Sequence, residues 1–303
     1  MKVLVMGSGG VGGYYGGLLA KSGHNVTFIA RGEHYQSLKN NGLTIESQDT
    51  DPFTLRVNVT QFPNQNESYD LILFAVKTYD TFEAIKSIES SVTEETVILT
   101  FQNGFESGQE IKSLLRQGTL LEGPAYTVCS IKKPGVIQQI GNVNKLIMGP
   151  LLREDFHKAE LLINHLSGSG WPIELTESPQ RELWSKLVFL GPLAAITSIT
   201  DLNAGEIRSN EFTLKIMEKM MQEYAKIGNA TGANLNSNVV GSSMKTLHLY
   251  PSNGSTSMAR DKKMGKKMEI EALLGSVIKK GNEHSIDIPI TTLIYGLLNP
   301  SVH

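Results

Sequence analysis

Apolar residues in the first half of the chain fall in short, nearly continuous runs at Lys2 to Met6, Val26 to Ala30, Leu71 to Val76 and Val97 to Thr100, with a further run at Val136 to Ile140. Each of the first four is almost wholly apolar, as expected of strands buried on both faces of a parallel sheet. Helical segments separate them, which predicts an α/β arrangement with a doubly wound parallel sheet. After about Leu175 strand-like sequence becomes rare and the period changes. Met217, Met220, Met221, Tyr224 and Ile227 recur at three and four residues, and a second stripe runs through Met268, Leu273, Leu274, Val277 and Ile278. Both stripes predict helices that turn one face to a core. The chain therefore reads as an α/β domain over 1–177 and an all-helical domain over 178–303. Pro172 and Pro179 punctuate the crossing.

A length of 303 residues suits two such domains. With 28 basic and 30 acidic residues, the chain has a formal charge of −2 and no broad positive surface for a nucleic acid or an anionic membrane. The one basic run, Lys262, Lys263, Lys266 and Lys267, reads as a solvated helix face. Cys129 is the only cysteine, so no internal disulfide forms and a buried structural thiol is expected. The histidines at 24, 34, 157, 165, 248, 284 and 303 form no i, i+4 pair and no HExxH, and no metal site is predicted. No serine lies in a GxSxG elbow. The N-terminal apolar run breaks into glycines too early for a signal peptide. The run from Leu187 to Ile199 is interrupted by Gly191 and Pro192 and is shorter than a membrane span. A cytoplasmic protein is expected, with a small molecule as its partner and a homodimer left open.

Candidate chemistry begins at the N-terminus, which reads MKVLVMGSGGVGGYYGG. Gly7, Gly9 and Gly12 form GxGxxG directly after a buried strand and directly before a helix. Gly7 allows the tight turn, Gly9 lets a pyrophosphate approach the backbone, and Gly12 lets helix pack on strand, leaving the helix N-terminus aimed at the phosphates. Ser8, Gly10 and Val11 complete this cofactor loop of a Rossmann-type domain. The second strand ends FIARG, so Arg31 stands where NAD-specific sites place an acid. A guanidinium pairs with the 2′-phosphate of NADPH, although Glu33 lies close by.

Several further segments, taken in order, resemble the ketopantoate reductases, two-domain relatives of the 6-phosphogluconate dehydrogenases. They are the glycine loop, Arg31, the lysine in FAVKTYD, the FQNG and PGVIQQIG segments, the ELWSKL helix, and SM-x-x-D with a glutamate downstream. The resemblance covers nearly the whole chain. It implies NADPH-dependent reduction of a 2-oxo acid, with pantothenate synthesis as the pathway. It makes Lys77 and Asn103 cofactor contacts, Lys186 the catalytic lysine, and Glu269 a polar partner at the reaction centre. Ser257 becomes the contact for the substrate's carboxylate, with Ser255 and Thr256 nearby.

The chain departs from that pattern where the family carries substrate-binding asparagines. Leu190 and Ala194 stand four and eight residues after the lysine, Ala204 stands beside Asn203, and Gly254 stands three residues before Ser257. Reaction type retained with substrate changed is the expectation, and Leu190 favours an apolar substituent. Asn203 and Ser255 are the candidates to replace the missing amides. Two other readings remain open at this point: a D-2-hydroxy acid dehydrogenase for a more apolar oxo acid, and a non-enzymatic NADP-binding sensor. One geometric expectation follows as well. A straight helix from Ser257 to Glu269 would separate the two by about 18 Å, so the segment must break between Lys262 and Lys267, most readily at Gly265.

Overall fold

In the computed structural model, residues 1–48 and 51–299 are described. The strands are β1 (Lys2–Met6), β2 (Asn25–Ile29), β3 (Leu43–Glu46), β4 (Phe53–Leu55), β5 (Asn58–Thr60), β6 (Leu71–Phe74), β7 (Val97–Thr100), β8 (Thr119–Glu122), β9 (Ala125–Lys133), β10 (Val136–Pro150) and β11 (Ile173–Leu175). The helices are α1 (Gly10–Lys21), α2 (Gly32–Asn41), α3 (Thr81–Ile88), α4 (Ser107–Leu114), α5 (Phe156–Ser167), α6 (Pro179–Thr200), α7 (Ala204–Ser209), α8 (Glu211–Ala230), α9 (Val239–Leu249), α10 (Ser257–Lys263), α11 (Ser276–Glu283) and α12 (Pro289–Leu298).

The strands form one sheet in the order β4-β3-β10-β8-β7-β6-β1-β2-β5, with β9 and β11 paired to β10. From β5 to β8 every neighbour is parallel, and β10 joins β8 antiparallel. Alternate residues of the central strands go to opposite faces, as the pleat requires. Val3, Val5, Leu71, Leu73 and Leu99 pack with Tyr14, Tyr15 and Leu19 of α1 and with Leu162 and Leu166 of α5. Leu4, Ile72, Phe74 and Ile98 pack with Ile85 and Ile88 of α3 and with Ile111 of α4. This is the doubly wound Rossmann-type sheet expected from the sequence.

By its internal contacts the chain divides into Met1–Gln102 with Ser107–Pro179, and Asn103–Glu106 with the chain from Gln180 onward. Asn103–Glu106 thus group with the second unit, and Ser178 and Pro179 with the first. Phe105 stacks on Trp184 at 4.2 Å between ring centroids, and the Gln180 amide donates to the Phe105 carbonyl at 3.1 Å. These contacts bring Asn103–Glu106 to the helical unit. In that unit α6 is longer than its apolar run suggested, and most of it is buried core, from Leu193 through Ser198 without a break. The Met217 stripe of α8 is buried core as expected.

Candidate active site

The cofactor loop is built by close packing. Gly7 follows β1 with φ +101°, and a side chain there would lie 2.7 Å from the Ala75 carbonyl. A Cβ at Gly12 would overlap the Gly7 carbonyl oxygen, and one at Gly10 would overlap the Cys129 carbonyl. At Gly9, by contrast, a Cβ would meet no protein atom within 4 Å. The open position is the one assigned to the pyrophosphate, and it caps the N-terminus of α1. A dinucleotide therefore fits this loop. Val11 lies in the first turn of α1. The buried Ser8 hydroxyl donates to the Ile29 carbonyl and ties the loop to the end of β2.

Arg31 follows β2 as the exposed N-cap residue of α2, and Glu33 lies exposed in the first turn of the same helix. Lys77 lies past β6, just before a 3₁₀ turn over Thr78–Asp80. Gln102 holds that segment, donating to the Val76 carbonyl at 3.2 Å and to the Thr81 hydroxyl at 2.9 Å.

Sequence reasoning missed one residue here. His34 of α2 reaches the Ser8 carbonyl through Nε2 at 3.0 Å, and the Gly135 amide donates to its Nδ1 at 3.1 Å. The acceptor role of Nδ1 places the proton on Nε2, so the ring works neutral. Burial pushes its pKa below the usual histidine value, in the same sense. His34 thus clamps the cofactor loop between α2 and the β9–β10 turn. No short-range pattern marks it, since its partners lie 26 and 101 residues away.

In the helical unit the structure brings together three of the predicted residues. The Lys186 ammonium of α6 donates to Asn103 Oδ1 at 3.1 Å. Asn103 Nδ2 in turn donates to Glu269 Oε2 at 3.5 Å, a long bond. Glu269 is 4 % exposed. Burial lowers the Lys186 pKa to about 8, against the pull of the Glu269 carboxylate, which raises it. The Asn103-Gly104 pair is also a turn, as such dipeptides usually are. Gly104 has φ +91°, and a Cβ there would sit 2.9 Å from the Ala272 carbonyl.

The helix break falls where the distance argument put it. α10 ends at Lys263, Gly265 takes φ +63°, and the Lys266 amide turns back to the Asp261 carbonyl at 2.8 Å. Glu269 precedes a π-helical turn over Glu271–Gly275, where the buried Tyr224 hydroxyl donates to the Leu273 carbonyl at 2.7 Å. Such a wide turn displaces carbonyls from the α-helical ladder. The four lysines consequently do not share one helix face. Lys262 instead donates to the Ser198 carbonyl at the end of α6 and pairs with Asp201 at 3.5 Å.

Two residues expected near the substrate have structural work. The Asn203 side chain accepts from the Glu206 amide at 2.9 Å while Glu206 accepts from the Asn203 amide at 2.7 Å, forming the capping box of α7. Thr256 caps α10 through the Ala259 amide and meets the Thr197 hydroxyl at 3.0 Å, fully inside the core. Ser255 and Ser257 flank it, both partly exposed, and Leu190 is partly exposed on α6.

Comparison with known proteins places both units in one family. Residues 3–152 match the model of the ketopantoate reductase PanE/ApbA family, and residues 179–301 match its C-terminal counterpart. A 2-dehydropantoate 2-reductase of Pyrococcus horikoshii is 28% identical over 302 residues, covering 98% of this chain and 96% of its own. A crystal structure of a PanE/ApbA family ketopantoate reductase from Ralstonia eutropha JMP134 superposes with a TM-score of 0.91 at 29% identity, covering 99% of this chain and 98% of that one. D-mandelate dehydrogenase, solved with NADH and anilino(oxo)acetate, shares the fold at a TM-score of 0.92 and 20% identity, covering 99% of this chain and 98% of that one. With a dinucleotide loop in one unit, a lysine, asparagine and glutamate joined in the other, and the family's models matching both, the chain belongs to the ketopantoate reductase family of oxidoreductases, which use a nicotinamide cofactor.

Proposed function

We propose that the protein reduces the keto group of a small 2-oxo acid with NADPH, in the manner of a 2-dehydropantoate 2-reductase. The observation that carries this reading is the Lys186–Asn103–Glu269 cluster. Hydride addition to a carbonyl builds negative charge on oxygen, which calls for a cation at that oxygen and a proton to complete the alcohol. NADPH, when bound, supplies the hydride. The Lys186 ammonium supplies both the charge and the proton. A pKa lowered to about 8 makes it a stronger acid than an ordinary lysine while leaving it mostly protonated at neutral pH. Asn103 holds the ammonium through Oδ1, and Glu269 orients the pair. Lys77 joins the cofactor loop as a cofactor contact. The setting is a cytoplasmic metabolic reaction, pantothenate synthesis where the substrate is ketopantoate.

The pH profile tests the role of Lys186. As an acid of pKa about 8, it should give a kcat/KM for reduction that is level below pH 8 and falls by about tenfold per pH unit above it. A profile still level at pH 9.5 would remove Lys186 as the proton donor.

Arg31 carries the cofactor preference in this reading. Its exposed guanidinium beside the end of β2 suits a 2′-phosphate. Arg31→Ala should weaken NADPH binding by about 10- to 100-fold and NADH binding by less than about threefold. Fluorescence titration of both cofactors checks this, and equal affinity for the two in the unaltered protein would remove the assignment.

A second reading, a dehydrogenase for a more apolar oxo acid, is favoured by the replaced amides. Leu190 and Ala194 share a helix face with Lys186, and Ala204 and Gly254 are joined by an amide-to-carbonyl bond of 2.9 Å. Initial rates of NADPH oxidation with ketopantoate, 2-oxoisovalerate and aryl oxo acids separate the two readings. Failure of every acid would remove both.

A further inference from the structure

The surface that continues from Lys186 along α6 is apolar and only partly covered. Phe189 and Leu190 lie one turn beyond the lysine on the same helix face, and both keep some exposure, whereas the helix from Leu193 to Ser198 is fully buried. Phe189 packs against Tyr250, with ring centroids 5.7 Å apart and planes inclined by 57°. The ring of Tyr250 occupies the room that a side chain at residue 254 would need. A Cβ on Gly254 would lie 2.5 Å from Tyr250 Cε1 and 2.7 Å from Cδ1.

The loop bearing Tyr250 is held firmly. Arg208 donates to the Leu247 and Tyr250 carbonyls at 2.7 Å each and to the Ser252 hydroxyl at 2.8 Å. The amides of Ala204 and Gly205 donate to the carbonyls of Gly254 and Ser252. An aromatic ring thus stands, by construction, where the departure from the family pattern removed an amide.

Beside it lies a partly buried cation. Arg260 donates to the Ser255 carbonyl at 3.3 Å and lies one helical turn past Ser257, on the same face. It is also close enough to Tyr250 to favour ionisation of the phenol, against the larger effect of burial. Among the described residues no carboxylate pairs with Arg260. A partly buried guanidinium flanked by two serines and lacking an acid of its own is suited to an anionic ligand.

We propose that Phe189, Leu190 and Tyr250 form the subsite for the substrate's side chain while Arg260, with Ser255 and Ser257, receives its carboxylate, making the enzyme selective for 2-oxo acids with an aryl or branched apolar group. The proposal rests on the 2-oxo acid reading above and names the substrate class. An aromatic wall rewards a matching apolar group and leaves a substrate hydroxyl without a partner, so ketopantoate is disfavoured.

The test uses the full-length protein with saturating NADPH and compares kcat/KM for phenylpyruvate, 2-oxobutanoate and ketopantoate. Phenylpyruvate should exceed 2-oxobutanoate by about tenfold or more. Tyr250→Ala should lower kcat/KM for phenylpyruvate by about 10- to 100-fold and change that for 2-oxobutanoate by less than about threefold. Tyr250→Leu, which keeps an apolar side chain in the loop, should lie between. Arg260→Gln should raise KM for all three acids by about tenfold or more with kcat nearly unchanged. NADPH titration of each variant confirms an intact fold.

If acids are reduced but both Tyr250 variants shift phenylpyruvate and 2-oxobutanoate equally, or Arg260→Gln leaves every KM in place, the subsite assignment is overturned and the 2-oxo acid reading stands. A preference for ketopantoate over phenylpyruvate in the unaltered enzyme overturns it too. If no acid is reduced, both are overturned together.

Discussion

Lys186→Ala is expected to lower kcat/KM by about 10²- to 10⁴-fold, the range for loss of a positioned general acid, while NADPH binding stays within about threefold of the unaltered protein. The cofactor loop lies in the other unit, built from β1, α1 and α2. Removing the ammonium also leaves Asn103 Oδ1 without that donor and Glu269, 4 % exposed, without that cation. A modest loss of stability, about 1–3 kcal/mol, accompanies the loss of rate. Lys186→Met keeps the packed stem but not the charge, so it should recover only the part of the stability that the stem's packing supplies. It should remain as slow as the alanine variant. Lys186→Arg keeps the charge but not the acidity, and its rate should fall between that of the neutral variants and that of the unaltered enzyme. Rates within tenfold of the unaltered enzyme for both neutral variants would show that another group supplies the proton.

Much of this site was legible because its signals are local. GxGxxG between a buried strand and a helix specifies the contact of Gly12 with Gly7 five residues before it, and Ala75 is brought against both by the pairing of β1 with β6. The break at Gly265 followed from helix geometry, since Ser257 and Glu269 cannot serve one small substrate across three turns of straight helix. Lys186, Asn103 and Glu269 were found through the order of short segments and then joined in space, although 83 and 166 residues separate Asn103 from its two partners.

What stayed hidden depends on contacts with no period. The Asn103–Glu106 segment leaves the sheet's unit because Phe105 finds Trp184, a pairing of single aromatic residues. His34 looked like one histidine among seven until both ring nitrogens found backbone partners. Asn203 read as a substrate amide, and Glu206 three residues on is equally the signature of a capping box, which is what the Asn203 Oδ1 forms. Short strands such as β4, β5 and β11, only three residues each, are too brief to show alternation.

The three glycines of the cofactor loop should respond differently to the same methyl group. Gly9 has φ −72° and ψ −158°, an extended conformation open to alanine, and nothing in the protein approaches its Cβ position within 4 Å. Gly9→Ala should therefore melt with the unaltered protein. Its methyl would enter the space left for the pyrophosphate, and NADPH affinity should fall by about 10- to 100-fold. Gly12 is packed on every side, with the Gly7 carbonyl overlapped and the Ala75 and Val5 side chains at 3.0 and 3.2 Å. Gly12→Ala must push α1 away from β1, a loss of about 1–3 kcal/mol in a close-packed core. Both Tm and cofactor affinity should drop. Gly7→Ala adds strained backbone at φ +101° to a contact of 2.7 Å with the Ala75 backbone, and should be the least stable of the three. Thermal melts with and without NADPH read both quantities at once. For Gly9→Ala the apo melt should match and the cofactor-induced rise in Tm should shrink, because ligand stabilisation scales with the logarithm of affinity. An unchanged NADPH-induced rise in Gly9→Ala would mean that the pyrophosphate does not approach the backbone there, and the loop's assignment as the dinucleotide cradle would fail with it.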